Sequence, residues 1–322
     1  MRSETRRSVF YCAVILIAMI IISTYRNRNN RPNDRKKPIA LPHYANGGKQ
    51  VIFPDELEKP HLWAPLKTFE VVPRIVHYIW LAKEGTTFRF HNYISFLSAY
   101  KHLNPQRIIL WCNTVPVGEY FDEMKRKVPV LRVKQITPPS VFSGRSVVVQ
   151  EHQSEILRIQ KIIEFGGVYL DTDIVVLKPF DELFRYDCTM PYYDSRRLNP
   201  GIIMAKPKSI FMELWLGELQ MYFNDYKWDF HATFLPAQVA ARNKLTIHIE
   251  YDTMDSPYWK DRKVLDDIYH KGVKFDWKSK YTFHLWHRFY KLPEPDPENI
   301  KTLDSSIGEI YRFIYYNSAD LI

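Results

Sequence analysis

Residues 166–173, with the sequence GGVYLDTD, constrain the fold of this chain more than any other stretch. Apolar residues recur with helical spacing over residues 151–165, and the glycine pair then provides a helix stop. Residues 168–170 start a short apolar strand that runs directly into Asp171 and Asp173. A helix followed at once by a buried strand predicts an α/β domain, with two carboxylates at the end of a strand.

The flanking sequence predicts the same fold class. Hydrophobic residues make up 46% of the 322 residues, enough for a substantial core. We read residues 71–322 as one domain in which strands alternate with helices, and this order predicts a mostly parallel sheet. The predicted elements before residue 150 are strands over 74–81, 107–112 and 128–134 and helices over 88–102 and 119–127.

The N-terminus contains fourteen consecutive apolar residues, 9–22. With weakly polar neighbours the span covers residues 8–25, just long enough to cross a bilayer. A cleaved signal peptide is the alternative, but residues 20–23 (IIIS) offer a poor cleavage site. We therefore expect an uncleaved transmembrane signal anchor after a short tail of residues 1–7, followed by a proline-containing stem over residues 26–70. The flanking basic residues do not fix the orientation of this helix.

Charge excludes a nucleic-acid partner. Residues 1–37 hold nine basic and two acidic residues, which account for +7 of the net charge of +9. The predicted folded domain is thus nearly neutral, whereas nucleic-acid binders concentrate basic charge on their folded surface.

The three cysteines do not form a disulfide framework. Cys12 lies in the predicted membrane span, which leaves Cys112 and Cys188. One disulfide is possible, and a buried free thiol is an equally good interpretation for Cys112 because it lies in a predicted strand. The chain has no Asn-x-Ser/Thr sequon, and this absence counts against a lumenal location.

Asp171 and Asp173 suggest a metal site. Two carboxylates at a strand end suit a hard divalent cation that is shared with substrate phosphates. For the bare Asp-Thr-Asp tripeptide, side-chain caps on a turn are the alternative. A metal-dependent phosphodiesterase would need further clustered acidic or histidine ligands, and the sequence has no such motif.

The segments 154–158 (SEILR), 166–173 and 177–181 (LKPFD) together resemble the DXD-containing sugar-binding region of family 32 glycosyltransferases. Members of this family include the yeast initiating mannosyltransferase and animal α-1,4-galactosyl- and N-acetylglucosaminyltransferases. The similarity begins at residues 73–80 (PRIVHYIW) and extends to residues 284–286 (HLW), so it spans most of the predicted domain.

The resemblance implies a GT-A type, Rossmann-like single domain and a retaining transferase that uses Mn²⁺ (or Mg²⁺). Asp171, Asp173 and Arg158 would form the catalytic set. Asp171 and Asp173 would bind the metal, with His284 completing the coordination. The alternative for His284 is a histidine packed within an aromatic cluster.

The resemblance also implies the residues that bind the nucleotide-sugar donor. They are Trp80, stacked on the base, and Glu155, Arg158, Asp171 and Asn199 near the sugar and ribose. The alternatives are a core tryptophan, a surface Glu155–Arg158 ion pair and a turn asparagine. Family members usually have Asp where this chain has Glu155, which leaves the donor sugar open.

These expectations combine into a type II, single-pass Golgi membrane enzyme with a lumenal catalytic domain. UDP-sugar is the favoured donor and GDP-mannose the second, and the acceptor is a glycan on a glycolipid or glycoprotein. The alternative is a catalytically silent relative that binds a nucleotide or glycan as an interaction module. The replacement at Glu155 keeps this alternative open, whereas the intact Asp171 and Asp173 argue against it.

Overall fold

The computed structural model of the chain describes residues 71–258, 260–270, 275–287 and 295–322. The predicted tail, membrane span and stem therefore lie outside the described residues. Across the four described ranges, no helix combines the length and the apolar content that crossing a membrane requires.

Strands and helices alternate through the first half of the described chain, as predicted. The strands of the described ranges are β1 (Ile75–Trp80), β2 (Arg107–Cys112), β3 (Leu131–Gln135), β4 (Val141–Phe142), β5 (Arg145–Ser146), β6 (Gly167–Leu170), β7 (Ile174–Val176), β8 (Cys188–Asp194), β9 (Arg197–Leu198), β10 (Ile202–Ala205), β11 (His248–Glu250) and β12 (Thr282–His284). The α-helices are α1 (Phe90–Leu103), α2 (Glu119–Lys127), α3 (Gln150–Phe165), α4 (Ile210–Tyr222), α5 (Leu235–Arg242), α6 (Arg262–Tyr269), α7 (Asn299–Thr302) and α8 (Ser306–Tyr316).

The central sheet has the strand order β11-β8-β10-β6-β1-β2-β3. Strand β1 pairs in parallel with β2 and β6, β2 with β3, and β8 with β11. Strand β10 lies antiparallel to both of its neighbours, β6 and β8. The result is the mostly parallel, mixed sheet of a Rossmann-like fold, and the expected sheet type is confirmed.

Most predicted boundaries before residue 150 agree with the structure to within one residue, and two elements begin two or three residues later than predicted. Helix α1 begins at Phe90 rather than residue 88, because the amide of Phe88 donates to the carbonyl of Val117. Strand β3 begins at Leu131 rather than residue 128, because the amide of Val128 still donates to Met124 at the end of α2.

Both faces of the sheet are covered by helices, so residues that point to either face of its central strands are buried and mostly apolar. In β1, Val76 and Tyr78 belong to the core under α1 and α8, whereas Ile75 and Ile79 belong to the core under α3 and α4. This burial on both faces explains why the strand appears in the sequence as a continuous hydrophobic run.

The connection from α3 to β6 is a glycine turn. Gly166 and Gly167 have φ angles of 65° and 108°, a region that L side chains rarely adopt. The indole of Trp111 donates to Nδ1 of His77 (3.1 Å), so Nε2 of His77 carries the proton and donates to the carbonyl of Gly166 (2.9 Å). Burial lowers the pKa of His77 to about 4, which keeps the imidazole neutral. The predicted helix stop is confirmed.

Strand β12, late in the chain, lies beside the Asp-Thr-Asp segment. Strand β12 pairs antiparallel with β7, with His284 opposite Ile174. Because Ile174 directly follows Asp173, this register brings His284 beside the Asp-Thr-Asp segment.

Cys112 and Cys188 are both free and buried. The free-thiol interpretation therefore holds for both, and no disulfide joins them. Burial raises the pKa of the Cys112 thiol to about 11, which keeps it protonated.

We expect Gly167→Ala to destabilise the domain. An added Cβ would lie 2.3 Å from the carbonyl oxygen of Ile75, and the φ angle of 108° adds strain. The expected loss in the free energy of unfolding is roughly 2–4 kcal/mol by urea denaturation. Gly217→Ala is the control: this glycine lies within α4, where a Cβ meets no atom within 4 Å, and it should gain about 0.5–1 kcal/mol. Equal effects of the two variants would contradict this account.

Candidate active site

A cavity of about 290 Å³ opens where β6 ends. Such positions beyond the carboxyl ends of parallel strands are where α/β sheets bind ligands. The cavity is lined by Ile79, His91, Ser154, Tyr169, Asp171, Thr172, Asp173 and His287. Both carboxylates of the motif therefore face one cavity.

Asp171 is held by a phenol and a guanidinium. The hydroxyl of Tyr169 donates to Oδ1 of Asp171 (2.5 Å), and Nη1 of Arg158 lies 3.4 Å from the same oxygen. The guanidinium also lies over the ring of Tyr169, 4.6 Å from its centroid. Gly201 permits this packing, because a Cβ there would lie 3.0 Å from Oδ2 of Asp171. The contacts with Arg158 and Gly201 come from other segments of the chain, so the Asp171 side chain does more than cap a local turn.

Asp173 is paired with His284. Nε2 of His284 lies 3.4 Å from Oδ1 of Asp173, and the amide of His287 donates to Oδ2 (3.2 Å). Burial raises the pKa of Asp173, but His284 and the hydrogen bonds outweigh it and lower that pKa to about 2. Burial likewise lowers the pKa of His284, but Asp173 and Asp255 outweigh it and raise that pKa to about 10.

Asp255 belongs to this site, although the sequence analysis did not find it. Its Oδ1 accepts a hydrogen bond from Nδ1 of His284 (2.6 Å), and its Oδ2 accepts one from Nδ2 of Asn199 (2.5 Å). Burial raises the pKa of Asp255, while these two donors oppose the rise. No sequence motif marks Asp255, so only the fold could have revealed it.

Asp173 and His284 offer ligand atoms that suit a divalent cation, and Asp171 faces the same cavity as Asp173. Because Nδ1 of His284 donates to Asp255, the nitrogen that faces Asp173 is Nε2, which is the one free to coordinate once His284 is neutral. Carboxylate oxygens with one imidazole nitrogen suit Mn²⁺ or Mg²⁺. The aromatic alternative for His284 is also realised, since its ring stacks on Trp286 at 3.5 Å. The two interpretations are therefore compatible.

Glu155 and Arg158 are both buried, so the interpretation as a surface ion pair is wrong. Arg158 donates to the carbonyl of Pro200 (2.9 Å) and to Oγ of Ser154 (3.2 Å). Oε2 of Glu155 is enclosed and has no hydrogen-bond partner among the described residues. Burial raises the pKa of Glu155 to about 8, with Asp229 and Asp171 adding to the rise and Arg158 opposing it.

Asn199 and Trp80 lie at the edge of this arrangement. Oδ1 of Asn199 accepts from the amide of Gly201 (2.8 Å), the turn contact that the sequence offered as an alternative. Trp80 is half-buried against Phe88, with ring centroids 5.6 Å apart. The roles of Asn199 at the sugar and of Trp80 at the base stay predictions.

Two histidines of the cavity were missed by the sequence analysis. His91, in the first turn of α1, stacks on His287 with ring centroids 3.8 Å apart. The neighbouring Asn92 donates from Nδ2 to the carbonyl of Thr172 (3.2 Å), which ties α1 to the motif. His287 follows the HLW segment directly, a proximity that could have suggested it, whereas His91 carries no signal in the sequence.

The chain is similar to known glycosyltransferases. Residues 89–190 match the family model described as the glycosyltransferase sugar-binding region containing DXD motif. Glucan organizing enzyme 1 of Cryptococcus neoformans is 27% identical over 274 residues, which are 79% of this chain and 73% of that protein. An uncharacterized protein of Arabidopsis thaliana is 24% identical over 53% of this chain and 31% of its own length.

Solved structures give a weaker likeness. The galactosyltransferase LgtC in complex with donor and acceptor sugar analogs is 10% identical, with a TM-score of 0.40, and covers 75% of this chain and 96% of its own. The PaToxG glycosyltransferase is 12% identical, with a TM-score of 0.41, and covers 54% and 70%.

We expect Glu155→Gln to flatten the pH dependence of stability. Because the pKa of Glu155 rises from its usual value near 4.5 to about 8, the native state holds an extra proton between these pH values. The free energy of unfolding therefore falls as pH rises through this window, by up to about 1.4 kcal/mol per unit from this group. Urea denaturation at pH 5 to 8.5 should show a shallower slope for the variant. Glu164→Gln, on the exposed face of α3, should keep the wild-type slope; an unchanged slope in Glu155→Gln would refute the assignment.

Proposed function

We propose that this chain, a DXD-motif glycosyltransferase whose sugar-binding region spans residues 89–190, is a metal-dependent, retaining enzyme that moves a hexose from a nucleotide sugar to a glycan acceptor. The observation that carries the proposal is a pair of contacts beside one cavity at the end of β6: Arg158 contacts Asp171, His284 contacts Asp173, and both carboxylates line the cavity. These residues come from α3, the β6–β7 turn and β12, and only the fold brings them together.

Asp171, Asp173 and Nε2 of His284 would hold Mn²⁺ (or Mg²⁺), which when bound neutralises charge on the departing diphosphate. Asp255 would support these ligands without binding the cation itself, because its hydrogen bond fixes the orientation and tautomer of His284. Arg158 acts on the other side, where it orients Asp171. These contacts preorganise the site, so that little rearrangement is needed when the donor binds.

The donor is proposed to be a UDP-sugar, with GDP-mannose as the second choice. Trp80 would stack on the base, and Glu155, Arg158, Asp171 and Asn199 would lie near the sugar and ribose. The transfer passes through an oxocarbenium-like state, so the acceptor hydroxyl must be held close to the sugar. The acceptor would be a glycan on a glycolipid or glycoprotein. The similarity to the glucan organizing enzyme of Cryptococcus supports a glycan acceptor.

We place the enzyme in the Golgi membrane as a single-pass type II protein with a lumenal catalytic domain at residues 71–322. The fourteen-residue apolar run within residues 8–25 supports the anchor. The orientation rests on the family resemblance. A purified fragment that begins at Val71 should therefore retain activity without detergent.

Asp173→Asn should abolish transfer, by at least about 100-fold, while the fold persists. The neutral amide loses both the charge for the cation and the pairing with His284. The measurement is hydrolysis and transfer from a panel of UDP- and GDP-sugars, with and without Mn²⁺. Asp122→Asn, on the exposed surface of α2, is the control and should behave like the wild type.

Retained activity in Asp173→Asn would remove the metal assignment. If the wild type binds nucleotide in a thermal-shift assay but turns over no donor with any acceptor tested, the result favours the hypothesis of a catalytically silent interaction module. If the wild type neither binds nucleotide nor turns over any donor, the donor-site assignment is wrong.

Asp255→Asn should weaken Mn²⁺ binding by about 10- to 100-fold in isothermal titration calorimetry. The loss follows because a neutral amide stabilises the Nδ1–H of His284 less than a carboxylate does, and its single oxygen cannot accept from both His284 and Asn199. Circular dichroism should show an unchanged fold. Wild-type affinity in Asp255→Asn would mean that His284 does not coordinate the cation.

A further inference from the structure

A second buried polar cluster adjoins the proposed donor site. His152 and Glu155 belong to α3, and His231 to a π-helical turn, Phe230–Phe234. Oε2 of Glu155 and Nδ1 of His231 face each other across 4.0 Å. Neither atom has a hydrogen-bond partner among the described residues. Because buried polar atoms are almost always hydrogen-bonded, a carboxyl oxygen and an imidazole nitrogen that lie this close without partners need an explanation.

The hydrogen bonds of His231 argue against a metal ion here. The ligand atoms of His152, Glu155 and His231 lie within 4.8 Å of one another, so the cluster resembles a metal site. However, the backbone amide of Asn224 donates to Nε2 of His231 (3.0 Å), so Nε2 carries the lone pair and Nδ1 carries the proton. Burial lowers the pKa of His231 to about 4, so the ring is neutral. A protonated Nδ1 cannot bind a metal, but it can donate to Glu155.

The two carboxyl oxygens of Glu155 differ in their surroundings. Oε2 is enclosed and directed at His231, whereas Oε1 is not among the enclosed, unpaired atoms. Glu155 also lies one helical turn before Arg158, which contacts Asp171. Fixing Oε2 would therefore fix where Oε1 is presented. The charged and titratable groups around Glu155 are Glu151, His152 and Arg158 from α3, Asp171 after β6, Asp229 just before the π-helical turn and His231 within it.

We propose that His231 is a positioning residue for the donor sugar: its Nδ1–H donates to Oε2 of Glu155 and holds Oε1 toward the sugar. The proposal rests on the glycosyltransferase function above. Closing the 4.0 Å separation to hydrogen-bond length needs about 1 Å of movement, within reach of the rotatable Glu155 side chain. It also accounts for glutamate at this position, because the shorter aspartate would place its carboxyl farther from Nδ1.

Two substitutions of His231 distinguish this role from a structural one. The amide nitrogen of His231→Asn falls near Nδ1 and preserves a donor to Glu155, whereas the amide of His231→Gln falls near Nε2 and preserves the contact with Asn224. We expect His231→Gln to raise the donor KM about tenfold with little change in kcat, and His231→Asn to stay within about threefold of wild type. Equal KM values, or the reverse order, would overturn the proposal, since a purely structural His231 would make Asn the more damaging change.

A stability measurement tests the pair without relying on turnover. In a double-mutant cycle of Glu155→Met and His231→Gln, the two effects on the unfolding equilibrium constant should be non-additive by at least about threefold in urea denaturation at pH 7. Additive effects would overturn the contact. If the wild-type protein transferred no sugar at all, the proposed function would fail, while the cycle would still decide whether His231 and Glu155 interact.

Discussion

Carboxyl groups taken out of water at one strand end are the constraint on which this site depends. Four of them gather there, half-buried or buried: Glu155, Asp171, Asp173 and Asp255. Burial disfavours the charged form of a carboxyl group, so a buried carboxylate needs a compensating partner. Asp171 has the guanidinium of Arg158, and His284 serves both Asp173 and Asp255. Glu155 has no hydrogen-bonded cation and keeps its proton instead. The site is therefore charged at Asp173, where a cation is expected, and neutral at Glu155, one helical turn before Arg158.

This compensation gives several local structures a second role. The short β7–β12 ladder contributes Ile174, Val175, Val176 and Phe283 to the core, and its register also sets His284 beside Asp173. Asn199 lies in the turn before β10, where its Oδ1 accepts from the amide of Gly201. Its Nδ2 also donates a hydrogen bond to Asp255. A glycine at position 201 leaves room for the carboxylate of Asp171. Each local structure is thus adapted to a carboxyl group supplied by another segment.

Local patterns predicted the parts of the molecule that local forces determine. The run of apolar residues around β1 and the glycine pair after α3 specify their own structure, because burial and backbone conformation act within a few residues. The antiparallel β10, the partner Asp255 and the pair His91–His287 could not be predicted in this way. Asp255 meets His284 across 29 residues, and His91 reaches His287 from an element almost two hundred residues earlier. Such contacts depend on strand order and register, which hydrophobic periodicity does not encode.

Glu155 bears most directly on whether the domain is an enzyme or a silent relative. A site that had lost its function would be expected to relax toward satisfied or apolar packing, because unpaired buried polar atoms destabilise the native state. Here Oε2 of Glu155 and Nδ1 of His231 remain buried and 4.0 Å apart, beyond hydrogen-bond length, beside the intact Asp171 and Asp173. Native proteins retain such costs chiefly at functional sites. The replacement of aspartate by glutamate therefore fits an adjustment of the donor pocket better than decay of the active site.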